Sequence, residues 1–528
     1  MTLIDWGIII IYILGLIFLG WYLGRSQTGL KDYFLGSKNL SWWSVGFSTM
    51  ATQLGAISFI SAPAFVGLRP GGGLIWLGYE FAVPFAMIIL IWKVIPLFHK
   101  FGLISIYEYL EIRFDDRIVR SFVSIVFLIS RGLATGVTIY ATAIVISVML
   151  KIPITYTIFI IGAVSIIYDY MGGIKAVVIS DVIQMLLIFV GIIICVIFGL
   201  NYIGGWKAIF QYISTDRLIA IDFNEFGFHE DGTFGFLPLF IGGFFLYTSY
   251  YGFDQSQVQR EISARSLLDS RISLIFNSIG RYPVVLSYCI VGLIIGAFAL
   301  SNNEFMSLIP KGKVDYMVPV FVVHYLPAGV SGIIIVAILA ASMSSLDSAL
   351  NSLSASTIED ILKPTILKKL SEHEMFRASK LTTLFWGFFC TGFAFITEGI
   401  SKTVIESINM IGSIFYGPIA AVFILGMFIQ RASSRDVILG GIMGVCINVF
   451  LSTGIIKISW LWWNAIGFII TFGTGLVLAL FNRSCYRFDE ALRISDKHCK
   501  PWLIVYGLLI AYGVMIIILS SHLEDIIY

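Results

Sequence analysis

The chain has 528 residues, 58% hydrophobic and only 12% charged, with a mean hydropathy of +0.92 and a formal net charge of +2. That composition excludes a soluble globular domain and describes a polytopic membrane protein. The net charge says nothing about nucleic acid, and with no basic patch interleaved with aromatics no nucleic-acid partner is expected.

Fourteen apolar segments long enough to cross a ~30 Å bilayer core follow one another. They run roughly over 4–24, 42–67, 74–98, 118–150, 153–172, 179–203, 234–258, 270–301, 317–350, 378–398, 403–430, 435–456, 460–481 and 501–521. Segments of this length fit helices rather than the short alternating strands of a barrel, so the fold is predicted all-α. The first is expected to stay on as a helix: "MTLIDW" has no basic n-region and "RSQTGLK" follows the apolar run directly. With the N-terminus outside, cytoplasmic loops hold 23 Lys/Arg. External loops hold eight: Arg69, Lys151, Lys207, Arg217, Lys311, Lys313, Lys402 and Lys457. The positive-inside bias therefore predicts both termini outside. Cys195, Cys289, Cys390 and Cys446 lie in apolar segments and Cys485 and Cys499 in the last cytoplasmic loop, a distribution that makes no disulfide or metal framework.

Three stretches break the apolar pattern. Ser48 to Gly67 is interrupted by Gly55, hydroxyls and Pro63, and "IGGFFLYTSYYGFDQSQ" has similar character five helices later. Both are predicted to be discontinuous helices, whose unwound carbonyls can coordinate Na⁺ while half-helix ends face a substrate. The third, "ILAASMSSLDSALNS", places Ala341, Ser344, Ser345 and Ser348 on one helix face with Asp347 at its edge. Small hydroxyl residues commonly serve helix packing, but five serines and a carboxylate in eleven residues exceed that need. Hydroxyl and carboxylate oxygens suit a small hard cation.

Ionisable residues inside the membrane are expensive, and each is a functional candidate. They are Glu80, Lys93, Arg131, Asp181, Arg281 and Asp347. Lys93 stands near a segment end, where a long side chain snorkels to the interface. Asp181 reads equally as a carboxylate at a helix N-terminus. Arg131 reads either as a clamp for a solute carboxylate or as a structural partner of Glu80, Asp181 or a helix end. HExxH and Walker motifs are absent, no intramembrane nucleophile and base stand together, and polarity gathers at two breaks and one serine helix instead of lining a pore. A carrier is thus expected, ahead of a channel or proton-coupled carrier on the same scaffold, with a membrane enzyme last.

From "KDYFLGSKNLSWWSVGFS" through "YDYMGGIKAVVISDVIQ" and "YGFDQSQVQREISAR" to "GPIAAVFILGMF", the chain resembles the sodium:solute symporters. "ISIYEYLEIRF", "GVTIYATA" and "DQSQVQR" are closest to the branch carrying monocarboxylates, vitamins and iodide, while "GYE" is similar to the sugar carriers. The resemblance implies a LeuT-type inverted five-helix repeat with extra flanking helices. Its divisions would be 1–41 (first helix and loop), 42–203 (first repeat), 204–430 (second, inverted repeat) and 431–528 (accessory helices).

It implies a sodium site at the carbonyls of Ala51, Leu54 and Ala341 and the hydroxyls of Ser344 and Ser345. A second cation site would use Asp181, Asp347 and Ser348. The aspartate at 347, where a hydroxyl is expected, would either strengthen that site or hold a proton. The implied solute pocket comprises Gln53, Ser58, Glu80, Arg131, Tyr247, Tyr250, Arg281 and Asn409. Arg281 replaces the lysine of the sugar branch, and sialic-acid carriers of the family have an arginine in the helix of Arg131. The expected function is Na⁺-coupled uptake of a carboxylate-bearing solute across the cell membrane, with a neutral sugar as the alternative. Na⁺, the solute and the lipid bilayer are the expected partners, with no obligate protein partner and no cofactor beyond the coupling ion.

Overall fold

The computed structural model describes residues 1–528 except 26, 28, 229–233, 369, 398–403, 482–498 and 525–528. Lys402 and Cys485 fall outside the described residues. The architecture is all-helical, and a single isolated bridge, Leu40 with Ala264, is the only β pairing among the described residues.

In chain order the main helices are α1 (Leu3–Gly24), α2 (Trp42–Gln53), α3 (Ala56–Gly67), α4 (Leu74–Phe101) and α5 (Arg117–Leu150). Then come α6 (Ile154–Ile203), α7 (Phe236–Phe253), α8 (Gln255–Ile262), α9 (Leu267–Ser301), α10 (Met317–Tyr325) and α11 (Val330–Ser356). The last five are α12 (Glu372–Ala394), α13 (Val404–Phe428), α14 (Ser434–Ser452), α15 (Trp463–Phe481) and α16 (Cys499–Ser521). Cys499 thus opens a helix instead of ending a loop.

Among the described residues, eleven helices are long and apolar enough to cross a membrane, or twelve with the bent pair α2/α3 counted as one span. The fourteen segments differ at three places. Segments 153–172 and 179–203 merge into the 50-residue α6, interrupted at Gly173 (φ 56°, ψ −171°). Fifty residues of straight helix would reach ~75 Å, far more than one crossing needs. Segment 378–398 becomes α12, whose opening turns carry Glu372, Glu374, Arg377 and Lys380 and lower its hydropathy. Segment 317–350 divides into α10 and α11 around Leu326–Gly329, where Pro327 cannot continue a helix.

Burial separates centre from rim. In α11, 89% of the apolar window is buried, against 22% in α1 and α16, whose exposed Leu, Ile and Phe suit lipid. α11 packs against α6, α5, α1 and α12, while α9 packs against α2 and α3. The serine-rich helix is therefore the axis of the bundle, and its polarity faces other helices rather than lipid.

Candidate transport site

The first break is sharp. α2 ends at Gln53, Leu54 caps it (φ −90°, ψ 45°), Gly55 opens α3, and the two halves bend by 54°. A helix end leaves its last carbonyls without intrahelical donors. Here α11 supplies them: Ser344 Oγ donates to Ala51 O and to Ala341 O, each at 3.0 Å, and Ser345 Oγ donates to Thr52 O at 2.6 Å. A Cβ on Gly55 would lie 2.7 Å from Ser345 Oγ, so only glycine lets α11 approach this closely. Leu54, Ala51, Ala341 and Ser344 are fully buried. The break thus gathers carbonyl and hydroxyl oxygens of the kind a hard cation prefers, each hydroxyl keeping lone pairs free for it.

Asp181 lies eight residues beyond Gly173, well inside the second half of α6, so it is no first-turn carboxylate. Ser48 Oγ donates to its Oδ2, and Arg260 approaches the same oxygen at 3.4 Å. Arg260 also donates to Ser48 Oγ, Thr52 Oγ1 and Ser256 O. Ser348 Oγ sits 3.2 Å from Thr52 Oγ1 and donates to Ser344 O at 2.6 Å. Asp347 is equally buried, yet neither of its oxygens has a hydrogen-bond partner. Sequence reasoning missed Arg260, because residues 259–269 read as a loop between spans. It sits in α8, and its side chain is 0% exposed.

Beside the break lies a cavity of about 150 Å³. All eight residues named from the sequence line it: Gln53, Ser58, Glu80, Arg131, Tyr247, Tyr250, Arg281 and Asn409. Thr52, Gly55 and Ser345 line it too, so the break borders cavity and cation oxygens together. Arg281 donates bidentately to Glu80 at 2.8 and 3.2 Å, and Tyr247 Oη donates to the same carboxylate at 2.9 Å. Tyr251 Oη donates to Gln53 Oε1, and Gln257 Nε2 donates to Tyr250 Oη at 2.7 Å.

Arg131 differs. Its closest carboxylate is none of those expected but Asp254, 4.0 Å away at the α7/α8 break. Asp254 accepts from Ser256 N and Oγ through Oδ1 and turns Oδ2 toward Arg131, whose Nε has no partner. Arg131 also stands 5.8 Å from the Tyr250 ring. Asp254, Tyr416, Trp76 and Tyr288 were not foreseen; only the aspartate of "GFDQSQ", in a stretch predicted to break, carried a readable signal.

At the far end of α3, Arg69 bonds Glu406 in the first turn of α13 at 2.6 Å and stacks over Phe65 and Phe234. Ile408 and Asn409, one turn on, line the cavity. The contact joins half of a broken helix to a cavity wall.

A many-spanning helical bundle with a solute-sized cavity wedged against two interrupted helices defines a secondary transporter. The chain belongs to the Sodium:solute symporter family, which matches residues 33–444. It is 29% identical over 488 residues to a sodium/sialic acid symporter of Aliivibrio fischeri, covering 92% of this chain and 94% of that one. It is also 29% identical over 442 residues to sodium-coupled monocarboxylate transporter 1 of Xenopus laevis, covering 82% and 68%. A solved substrate-bound, outward-open Na⁺-coupled sialic acid symporter matches with a TM-score of 0.81 and 26% identity, over 91% of this chain and 98% of that one. The chain is accordingly a multi-pass membrane transporter, not an enzyme, with Na⁺ as the coupling ion rather than a bound cofactor.

Proposed function

We propose that this protein takes up a small carboxylate-bearing solute by Na⁺-coupled symport with alternating access across the cell membrane. The observation that carries the solute class is the contrast between the two cavity arginines. Each guanidinium leaves one nitrogen unbonded, but Arg281 is held bidentately by Glu80 at 2.8 and 3.2 Å, whereas the one carboxylate near Arg131 stands 4.0 Å away. A solute carboxylate would complete the guanidinium's bidentate pairing. The relatives named for sialic acid and monocarboxylate are both named for acids. A cavity of about 150 Å³ suits a benzene-sized guest, which favours a short acid in this conformation.

Na⁺ binds the carbonyls of Ala51, Leu54 and Ala341 with Ser344 and Ser345, and a second cation binds Asp181, Asp347 and Ser348. Gln53, Ser58, Tyr247, Tyr250 and Asn409 hydrogen-bond or enclose the solute. The chain crosses the membrane fourteen times with both termini outside, since α6 halves at Gly173 and α12 completes the count. Residues 42–203 and 204–430 form the inverted five-helix repeats, flanked by 1–41 and 431–528, and the chain works without an obligate protein partner.

Uptake into proteoliposomes with and without an inward Na⁺ gradient tests the coupling. Binding of an acid and its amide, in wild type and Arg131→Gln, tests the solute. Loss of the charged contact should cost at least ~2 kcal/mol, about 30-fold, and erase the preference for the acid. Neutral hexoses binding as well as any acid would replace the carboxylate with a sugar, for which the Glu80, Gln53, Asn409 and tyrosine groups are also suited.

A further inference from the structure

α11 packs against α6, and several buried side chains of the two helices lack hydrogen-bond partners. Asp169, four residues before Gly173, is 0% exposed, and neither carboxylate oxygen receives a hydrogen bond. Asp347 on α11 is in the same condition. Tyr168 Oη is also fully buried, with Ser180 beside it but no well-formed hydrogen bond, and lies within electrostatic reach of Asp347, Asp181 and Asp169. Asn351, one turn past Asp347, has its amide beside the Asp169 carboxylate without a well-formed hydrogen bond, and its Oδ1 accepts from Gln259 at 2.8 Å. Buried polar groups are almost always satisfied, so a cluster of them left open marks the place of an ion or water.

Charge says which. The charged groups bearing on Asp347 are Asp169, Asp181 and Arg260. Arg260 already serves Ser48, Thr52, Ser256 and Asp181. One guanidinium cannot neutralise three carboxylates, and an ionised carboxylate in a low-dielectric interior needs a partner.

We propose that Asp169 and Asp347, with Tyr168 Oη, hold a further Na⁺ between α6 and α11, separate from the ion at the serines and from the cation at Asp181. The proposal rests on the sodium-coupled reading and deepens it. With Asp347 shared, two cations and Arg260 balance the three carboxylates. None of the three residues lines the cavity. Tyr33 Oη donates to Asp169 O at 3.1 Å and Gln27 Nε2 to Gly172 O at 2.5 Å, which ties the station to the segment that precedes α2. The ion would therefore sit beyond the second site as seen from the solute.

The test is radioactive ²²Na⁺ titration of the purified full chain without solute, in wild type, Asp169→Asn and Tyr168→Phe. Asp169→Asn should bind one Na⁺ fewer per chain. Tyr168→Phe should keep the count and weaken one class of sites about tenfold, the scale of losing one polar contact to a metal. Should Asp169→Asn not fold, Tyr168→Phe decides alone. Wild-type count and affinity in the folded variants would mean that Asp169 is held neutral by a proton, and the station falls. That result leaves the symport reading standing as long as Ser344→Ala still raises the Na⁺ requirement; loss of both would sink the parent reading as well.

Discussion

The solute cavity and the α6/α11 seam meet at one broken helix, and they treat charge in opposite ways. In the cavity Arg281 has a bidentate carboxylate, and even Arg131 has Asp254 within 4.0 Å. In the seam Asp169 and Asp347 have none of their oxygens bonded. The Arg281–Glu80 pair is balanced in charge without a guest, with only Arg281 Nη1 left unbonded, so it shapes the cavity and holds Tyr247 in place. Bare carboxylates are incomplete without one. On the reading proposed above, the finished Arg281–Glu80 pair is scaffold, and the unfinished carboxylates of the seam are where a coupling ion would be held.

The strongest way to break this contrast is to unbalance the finished pair. Glu80→Gln leaves Arg281 buried and uncompensated, which should lower stability by ~3–5 kcal/mol, while adding Arg281→Gln should restore most of it. Thermal unfolding of the single and double variants measures this, and equal losses in both would mean that the pair is no scaffold. Next comes Asp347→Ala. Removing a cation ligand from the seam should lower the Na⁺ to solute ratio read from reversal potentials, because each charge carried is worth ~2.3 kcal/mol per 100 mV. A wild-type ratio of one, unaltered by the change, would place the seam outside transport.

Ser344→Ala sharpens the comparison from the break itself. Losing one hydroxyl should cost ~1–1.5 kcal/mol, and the Na⁺ concentration for half-maximal uptake should rise about tenfold, with solute affinity at saturating Na⁺ unchanged. A Na⁺ dependence identical to wild type would remove this serine from the ion's shell. The smallest effect is expected at the Arg69–Glu406 contact, whose side chains are 16% and 8% exposed. Arg69→Gln removes the charge but keeps a polar group against Glu406, and should speed solute release by a few-fold, measured as the dissociation rate of bound solute.

The broken helix and the serine face could be read from the chain because glycine, proline and hydroxyls stand out inside an apolar run. The eight cavity residues were legible for the same reason, each being polar or charged in a greasy segment or matched to a family motif. Arg260, Asp254 and Asp169 were not. They fall at the edges of apolar runs, in "GFDQSQVQR" and "YDYMGG", where polarity is what a loop would show. Only tertiary packing turns those edges inward and buries all three. The partner of Arg131 was hidden likewise, since Asp254 reaches it from a helix break more than a hundred residues away.

Thr52, Gly55 and Ser345 border the cavity while belonging to the oxygen-rich break. Any shift of the Leu54–Gly55 joint that tightens one face must be felt on the other, and thermodynamics makes that influence symmetrical. Whatever factor Na⁺ contributes to holding the solute, the solute must return to Na⁺. A solute too short to touch Gln53 or Ser58 would then bind weakly and, by the same measure, leave sodium affinity where it was. Ranking candidate solutes by how far each shifts the sodium titration would identify the physiological one without a single uptake measurement.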